Sequence, residues 1–189
     1  MSATVTDFGL LDLATEETWF NRERVEAARR AYLTFHLGDE VYGLELLRLR
    51  EIIKARPPTE VPRAPPYIAG VVSVRGLVMP VVDLRARLRM PAGDKAPTRC
   101  LVVARGEERY ALLVDDVNNV VGFTDDEIEA APAMLGRSAD GEGGRGVEYI
   151  AGIGRAADNP EQLVILLDLD AVLRFEDLRP RRGGHGGGQ

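Results

Sequence analysis

The chain is poor in the residues that most reactive chemistry depends on. It has one cysteine, Cys100, and two histidines, His36 and His185. A single cysteine excludes an internal disulfide. Its setting in Cys100-Leu101-Val102-Val103-Ala104 fits a thiol buried in a strand better than an activated nucleophile. Neither histidine stands near a serine or cysteine in a nucleophile context, so acyl-transfer chemistry lacks its parts. Aromatics are 6% of residues and do not alternate with basic side chains, which argues against a stacking platform for single-stranded nucleic acid. A net charge of −6 opposes a phosphate-binding surface. No apolar run approaches the ~20 residues of a spanning helix. The N-terminus also lacks a basic head with an apolar stretch behind it, so the expectation is a cytoplasmic protein without direct membrane insertion.

Glycine is plentiful, at 20 residues, but not in nucleotide-binding order. Gly143-Gly144-Arg145-Gly146 lacks the Lys-Ser/Thr ending of a P-loop, and Gly152-Ile153-Gly154 lacks the third glycine of a dinucleotide turn. The acidic pairs Asp115-Asp116 and Asp125-Asp126 would serve a hard cation only if both side chains met at one site. Consecutive strand residues point to opposite faces, which favours solvated turn carboxylates. No catalytic, cofactor-binding or metal-ligating residue is therefore assigned.

What the chain does contain is short strands. Gly70 to Arg85 holds two Val-rich runs around a single Arg75-Gly76 pair, the pattern of a hairpin of buried strands. Asp83 is placed to cap a short helix through Ala86 and Leu88. An arginine at the bend either closes a local ion pair or offers its fixed donors to a partner. From Tyr32 the period is two: Leu33, Phe35 and Leu37 alternate with Thr34 and His36, placing His36 on the outward phase. A turn at Gly38-Asp39-Glu40 leads to a strand over Val41 to Leu46 and a third over Leu47 to Ile53. Five prolines between Pro57 and Pro66 then impose a loop. Ahead of all this, Thr15 is placed to cap a helix with Glu16 and Glu17 in its first turn and Arg29 and Arg30 near its end.

The pattern recurs. Gly38 to Leu44 is echoed 68 positions later by Gly106 to Leu112, and at that offset Leu49 to Ile53 falls on Val117 to Val121. Tyr67-Ile68-Ala69-Gly70 returns 82 positions later as Tyr149-Ile150-Ala151-Gly152. Val81 to Leu84 is matched by Leu166 to Leu169. Echoes in one order imply a duplicated unit, with the offset widened by an insertion at Gly136 to Gly146. Five short strands with polar turns cannot bury both faces as an open sheet, so closure into small barrels is expected. The expected fold is mainly β: two SH3-like five-stranded barrels with a groove between them. Residues 1–31 form an N-terminal helical extension docked on the body. The first barrel takes about 32–90, the second about 98–170 and a closing helix about 169–176. A Gly-rich tail over 177–189 is expected to be disordered.

Phe35 to Leu44, then Arg50-Glu51-Ile52-Ile53, Val61-Pro62-Arg63-Ala64-Pro65, and Gly70 through Arg75-Gly76 to Arg85 together resemble the CheW family of bacterial chemotaxis adaptors. The resemblance covers about Tyr32 to Phe175. It implies two intertwined SH3-like barrels, without catalytic activity, that link the cytoplasmic tips of methyl-accepting chemoreceptors to the regulatory, SH3-like domain of the histidine kinase CheA. It implies recruitment to membrane-associated or cytoplasmic receptor arrays. It carries partner-binding roles onto Arg75, Gly76, Leu49, Glu51, Val78, Val117 and Val120. Apolar side chains beside a charged anchor are what a helix-in-groove contact needs. Ser73 departs from the asparagine common before the Arg-Gly pair, and the extension before Tyr32 is not a usual feature of the family. The alternatives are an adaptor of a non-flagellar chemosensory pathway and, from a different class, a small barrel that binds nucleic acid.

Overall fold

The structure, a computed structural model, describes residues 30–93, 96–131, 147–155 and 161–175. The N-terminal extension, the insertion at 136–146 and the glycine tail lie outside the described residues.

The first half gives β1 (Arg30–Leu37), β2 (Glu40–Glu45), β3 (Leu49–Lys54), β4 (Ile68–Val74), β5 (Leu77–Asp83) and the one-turn helix α1 (Leu84–Arg87). The second gives β6 (Arg99–Arg105), β7 (Glu108–Val114), β8 (Asp116–Phe123), the short β9 (Ile128–Glu129), β10 (Ile150–Arg155), β11 (Leu163–Leu167) and α2 (Leu169–Val172). Leu46–Arg48, expected at the junction of two strands, instead makes a single 3-10 turn. The first helix begins with the cap the sequence implies, the Asp83 carboxylate accepting from Ala86 N–H at 3.1 Å, and its repeat counterpart Asp168 likewise accepts from Ala171 N–H at 3.0 Å.

The strands make two mainly antiparallel sheets, in the orders β3-β6-β7-β5-β4 and β8-β1-β2-β11-β10-β9. This corrects the assignment of one barrel to residues 32–90 and the other to 98–170. Each half lends its first hairpin to the sheet of the other: β1–β2 pairs with β8 and β11, and β6–β7 pairs with β3 and β5. The physical reason is the repeat itself. β1 and β2 present the same strand edges as β6 and β7, so each hairpin completes either sheet, and crossing over binds the halves together. Closure is equally matched: beyond β3, Thr59 bridges Val71 of β4, and beyond β8, β9 pairs with β10.

The exchange explains the burial. The largest cluster of buried side chains lies between the sheets, drawing Leu33, Phe35 and Leu37 from β1, Leu101 and Val103 from β6, and Leu112 and Val114 from β7. Smaller cores fill the two sheets separately, around Val81, Cys100 and Val102 in one, and Tyr32, Phe123 and Leu166 in the other. Strands β1 and β6 are therefore covered on both faces. That accounts for the unbroken apolar run through Cys100. It also corrects the outward phase expected for β1: Thr34 is only 1% exposed, and its hydroxyl bonds the Asn119 backbone and side chain at 2.8 Å. Burial pushes the Cys100 thiol up to about 12, as an inert strand cysteine requires.

Candidate partner-binding site

Strands β4 and β5 are joined by two residues, with Val74 opposite Leu77. Arg75 and Gly76 have φ of 50° and 82°, so the turn is of the primed type that matches the twist of a hairpin. Glycine takes this backbone freely. Arginine does not, since its Cβ crowds the following carbonyl in the left-handed region. The strained position nevertheless holds a long cationic side chain that stays 62% exposed.

Arg75 points back to β3, where its Nε lies 3.5 Å from Glu51 Oε2. That separation makes an ion pair but not a hydrogen bond, and Glu51 Oε2 is buried with no hydrogen-bond partner among the described residues. The Glu51 side chain is only 11% exposed. A buried carboxylate oxygen with one distant cation remains an unfilled acceptor. Next to it the hairpin presents Leu77 and Val78, 47% and 71% exposed, while Met79 turns into the core. The result is a charged pair beside an apolar rim.

The seven residues expected to bind partners do not form one patch. Arg75, Gly76, Val78 and Glu51 gather at the β4–β5 turn and the facing part of β3. Leu49 is instead 6% exposed and belongs to the core between the sheets. A register shift between Leu49 and Glu51 separates them: Leu49 faces Val103 of the central core, whereas Glu51 pairs with Val102 of the smaller core. Val117 and Val120 are partly buried at the margin of that central core. Leu77 escaped the sequence reading, although its place directly after Arg75-Gly76 could have marked it.

Two further arginines, Arg85 and Arg87, are tied into the fold. Arg85 Nε donates to Asp115 Oδ1 at 3.0 Å, its second nitrogen pairs with Asp115 Oδ2, and Gly38 N–H also donates to that oxygen at 2.6 Å. Burial opposes ionisation of Asp115, but Arg85 and the Gly38 amide outweigh it and hold the carboxyl below its ordinary value. A carboxylate so engaged does not serve a metal. Arg87, missed in the sequence, is buried between the rings of Tyr67 and Tyr149 at 4.4 and 4.8 Å, and donates to the carbonyls of Val172 and Arg174 at 2.8 and 2.7 Å. It ties α1 to the end of α2. Its signal was the recurrence of Tyr67 as Tyr149. Among the described residues, no helix is long and apolar enough to cross a membrane.

Residues 31–177 match the family model described as the CheW-like domain. The chain is 32% identical to the chemotaxis protein CheW of Rhizobium meliloti over 78% of its own length and 90% of that protein's. It is 30% identical to CheW of Bacillus subtilis over 76% and 86%. Protein FrzA of Myxococcus xanthus is 29% identical over 71% and 80%. Among solved structures, the scaffolding protein TtCheW of Thermoanaerobacter tengcongensis aligns with a TM-score of 0.65 at 25% identity, covering 77% of this chain and 92% of that one. With the exchanged hairpins, the Arg-Gly turn and both aspartate-capped helices in place, the chain belongs to the CheW-like family of chemotaxis scaffold proteins.

Proposed function

We propose that this chain is a non-catalytic adaptor that couples the helical cytoplasmic tip of a methyl-accepting chemoreceptor to the SH3-like regulatory domain of CheA, working on receptor arrays in the cytoplasm. The observation that carries the reading is the Arg75–Glu51 pair. A strained, exposed arginine faces a buried carboxylate oxygen that lacks a hydrogen bond, and strain at a turn is kept where the surroundings use it. A partner that supplies a donor to Glu51 and an acceptor to Arg75 completes both groups, while Leu77 and Val78 take up its apolar face. Gly76 favours the turn because its φ of 82° is a backbone that side chains rarely adopt. Val117 and Val120 supply a second, less exposed contact line on β8. In the fold Cys100 is buried, Asp115 is bound by Arg85, and the Tyr42 and Tyr110 hydroxyls donate to Glu40 and Glu108 at 2.6 Å.

Similarity to FrzA supports a second reading of the output, an adaptor of a non-flagellar chemosensory pathway. The test is a titration of the CheA regulatory domain and of a receptor helical hairpin against the wild type and Arg75→Ala. Weakening of about tenfold or more, with unchanged melting, is expected for at least one partner. Full binding of both by the variant would remove the arginine from the site.

A further inference from the structure

Phe175 follows α2 and packs against Tyr67 and Tyr110, with ring centroids 5.9 and 5.5 Å away. The first half repeats these surroundings. Tyr42 stands for Tyr110, and each donates its hydroxyl to a glutamate two residues earlier at 2.6 Å. At the offset that relates Asp83 to Asp168, the place of Phe175 falls to Met90, whose sulfur accepts from Tyr42 Oη at 3.7 Å. A left-handed Arg89 brings Met90 there: Met90 N–H donates to Arg85 O at 2.8 Å and Arg89 N–H to Ala86 O at 3.2 Å, which ends α1. Beside this thioether lies a cavity of about 560 Å³, lined by Leu37, Tyr42, Leu88, Met90, Ile150 and Ile165. Arg89 from the end of α1 and Asp39 from the β1–β2 turn also line it, both exposed and neither in an ion pair among the described residues. The other charged residues there are engaged: Arg85 by Asp115, and Glu40 by Tyr42 Oη.

We propose that this cavity is a docking site for a phenylalanine side chain of a partner protein, with an acidic neighbour that meets Arg89 and a basic neighbour that meets Asp39. The ring is read from the internal repeat, which fills the matching place with Phe175. A ring entering beside Met90 would meet Tyr42 as Phe175 meets Tyr110, tilted by 53°, and would gain a thioether contact as well. The flanking charges follow from Arg89 and Asp39, because a rim charge is matched across an interface by its opposite. An aromatic anchor in an apolar pocket with a polar rim is the arrangement that concentrates binding energy in one side chain. A second copy is a poor source of that ring. Among the described residues the exposed large apolar side chains are Leu47, Val61, Leu77, Val78 and Leu163, none of them aromatic. The cavity also shares no lining residue with the Arg75 hairpin, so the two surfaces can be occupied together.

The test is an NMR titration of the isotope-labelled full chain with the peptide acetyl-Gly-Arg-Phe-Glu-Gly-amide, whose central residues copy Arg174-Phe175-Glu176. Saturable shifts are expected at residues 37–42, 88–92, 150 and 165, with the β4–β5 turn unmoved. Alanine in place of the peptide's phenylalanine should weaken binding by about fivefold or more. Met90→Phe, which installs the side chain used by the other half, should weaken it as much while the signals of β6 and β7 stay in place. Arg75→Ala should leave the affinity within about twofold, which separates this site from the one proposed above. Should Met90→Phe loosen the fold, a second measurement uses the wild type: the same peptide with a benzophenone ring in place of phenyl should crosslink to Met90 or Leu88 on irradiation. No saturable shift in the full chain would overturn the proposal, whether the ring is not held or the cavity is already filled from within the chain. So would equal binding of the alanine peptide, crosslinks confined to other residues, or the same shifts arising without peptide as protein concentration rises, which would make the occupant a second copy.

Discussion

The two halves repeat each other's strands but not each other's charges. At the start of α1, Arg85 is held by Asp115 at the end of β7, and their side chains are 16% and 19% exposed. At the start of α2 the same place is taken by Asp170, 55% exposed, which meets Arg48 at 2.5 Å and Arg105 at 3.6 Å. Duplication preserved the geometry of helix on hairpin, and an opposite charge from the partner half preserved the contact. The sign was free to reverse. What differs in energy is burial: a screened surface pair contributes little, whereas a partly buried carboxylate with three donors contributes more.

The sharpest way to break the symmetry is at the paired glycines. A Cβ on Gly70, at φ +144°, would lie 2.3 Å from Thr59 O, whereas one on Gly152 would lie 2.9 Å from Glu129 O without an unusual φ. Gly70→Ala should therefore cost about 3 kcal/mol or more in urea unfolding, and Gly152→Ala roughly half of that. Next comes Arg87, whose counterpart by position is the apolar Val172. Arg87→Ala removes three ring contacts, to Tyr67, Tyr149 and Phe175, and the donors to the end of α2, and should cost about 3 kcal/mol by the same measurement.

The charge reversal gives a smaller and more diagnostic pair. Asp115→Ala should cost about 2 kcal/mol at neutral pH, and Asp170→Ala under about 0.5 kcal/mol. Because the native carboxyl of Asp115 titrates below its unfolded value, its contribution is complete above the ordinary carboxylate range near pH 4 and is lost as pH falls through the native value. The stability gap between wild type and Asp115→Ala should therefore narrow on acidification below about pH 4, as measured by unfolding at a series of pH values. The smallest effect is at the turn. Asparagine tolerates the left-handed backbone better than arginine, so Arg75→Asn should raise stability by about 0.5 kcal/mol while weakening partner binding.

Much of the fold was legible because its signals are local. The aspartate caps, the Arg-Gly bend and the prolines act within a few residues, and the repeat offsets announced the duplication. The exchange of hairpins was not legible from the repeat. Identical edges pair equally well in cis or crosswise, and only the packed core between the sheets decides between them. The same limit applied to the site. Arg75, Glu51 and Val78 were readable, but the bulge that turns Leu49 into the core is a matter of register against β6, which no spacing within β3 records. Arg87 was hidden because its partners lie far away along the chain.

On the proposed function, Arg75 and Glu51 are an incomplete pair that a partner completes. The measurement that tests it most directly is a double-mutant cycle with Arg75→Ala and Glu51→Gln, run once on folding and once on affinity for the CheA regulatory domain and the receptor hairpin. With Arg75 largely exposed, the coupling in the free protein should be under about 0.5 kcal/mol. In the complex it should rise to about 1.5 kcal/mol or more, because the pair becomes desolvated and fully bonded. Equal coupling in both states, or strictly additive effects in both complexes, would contradict the account.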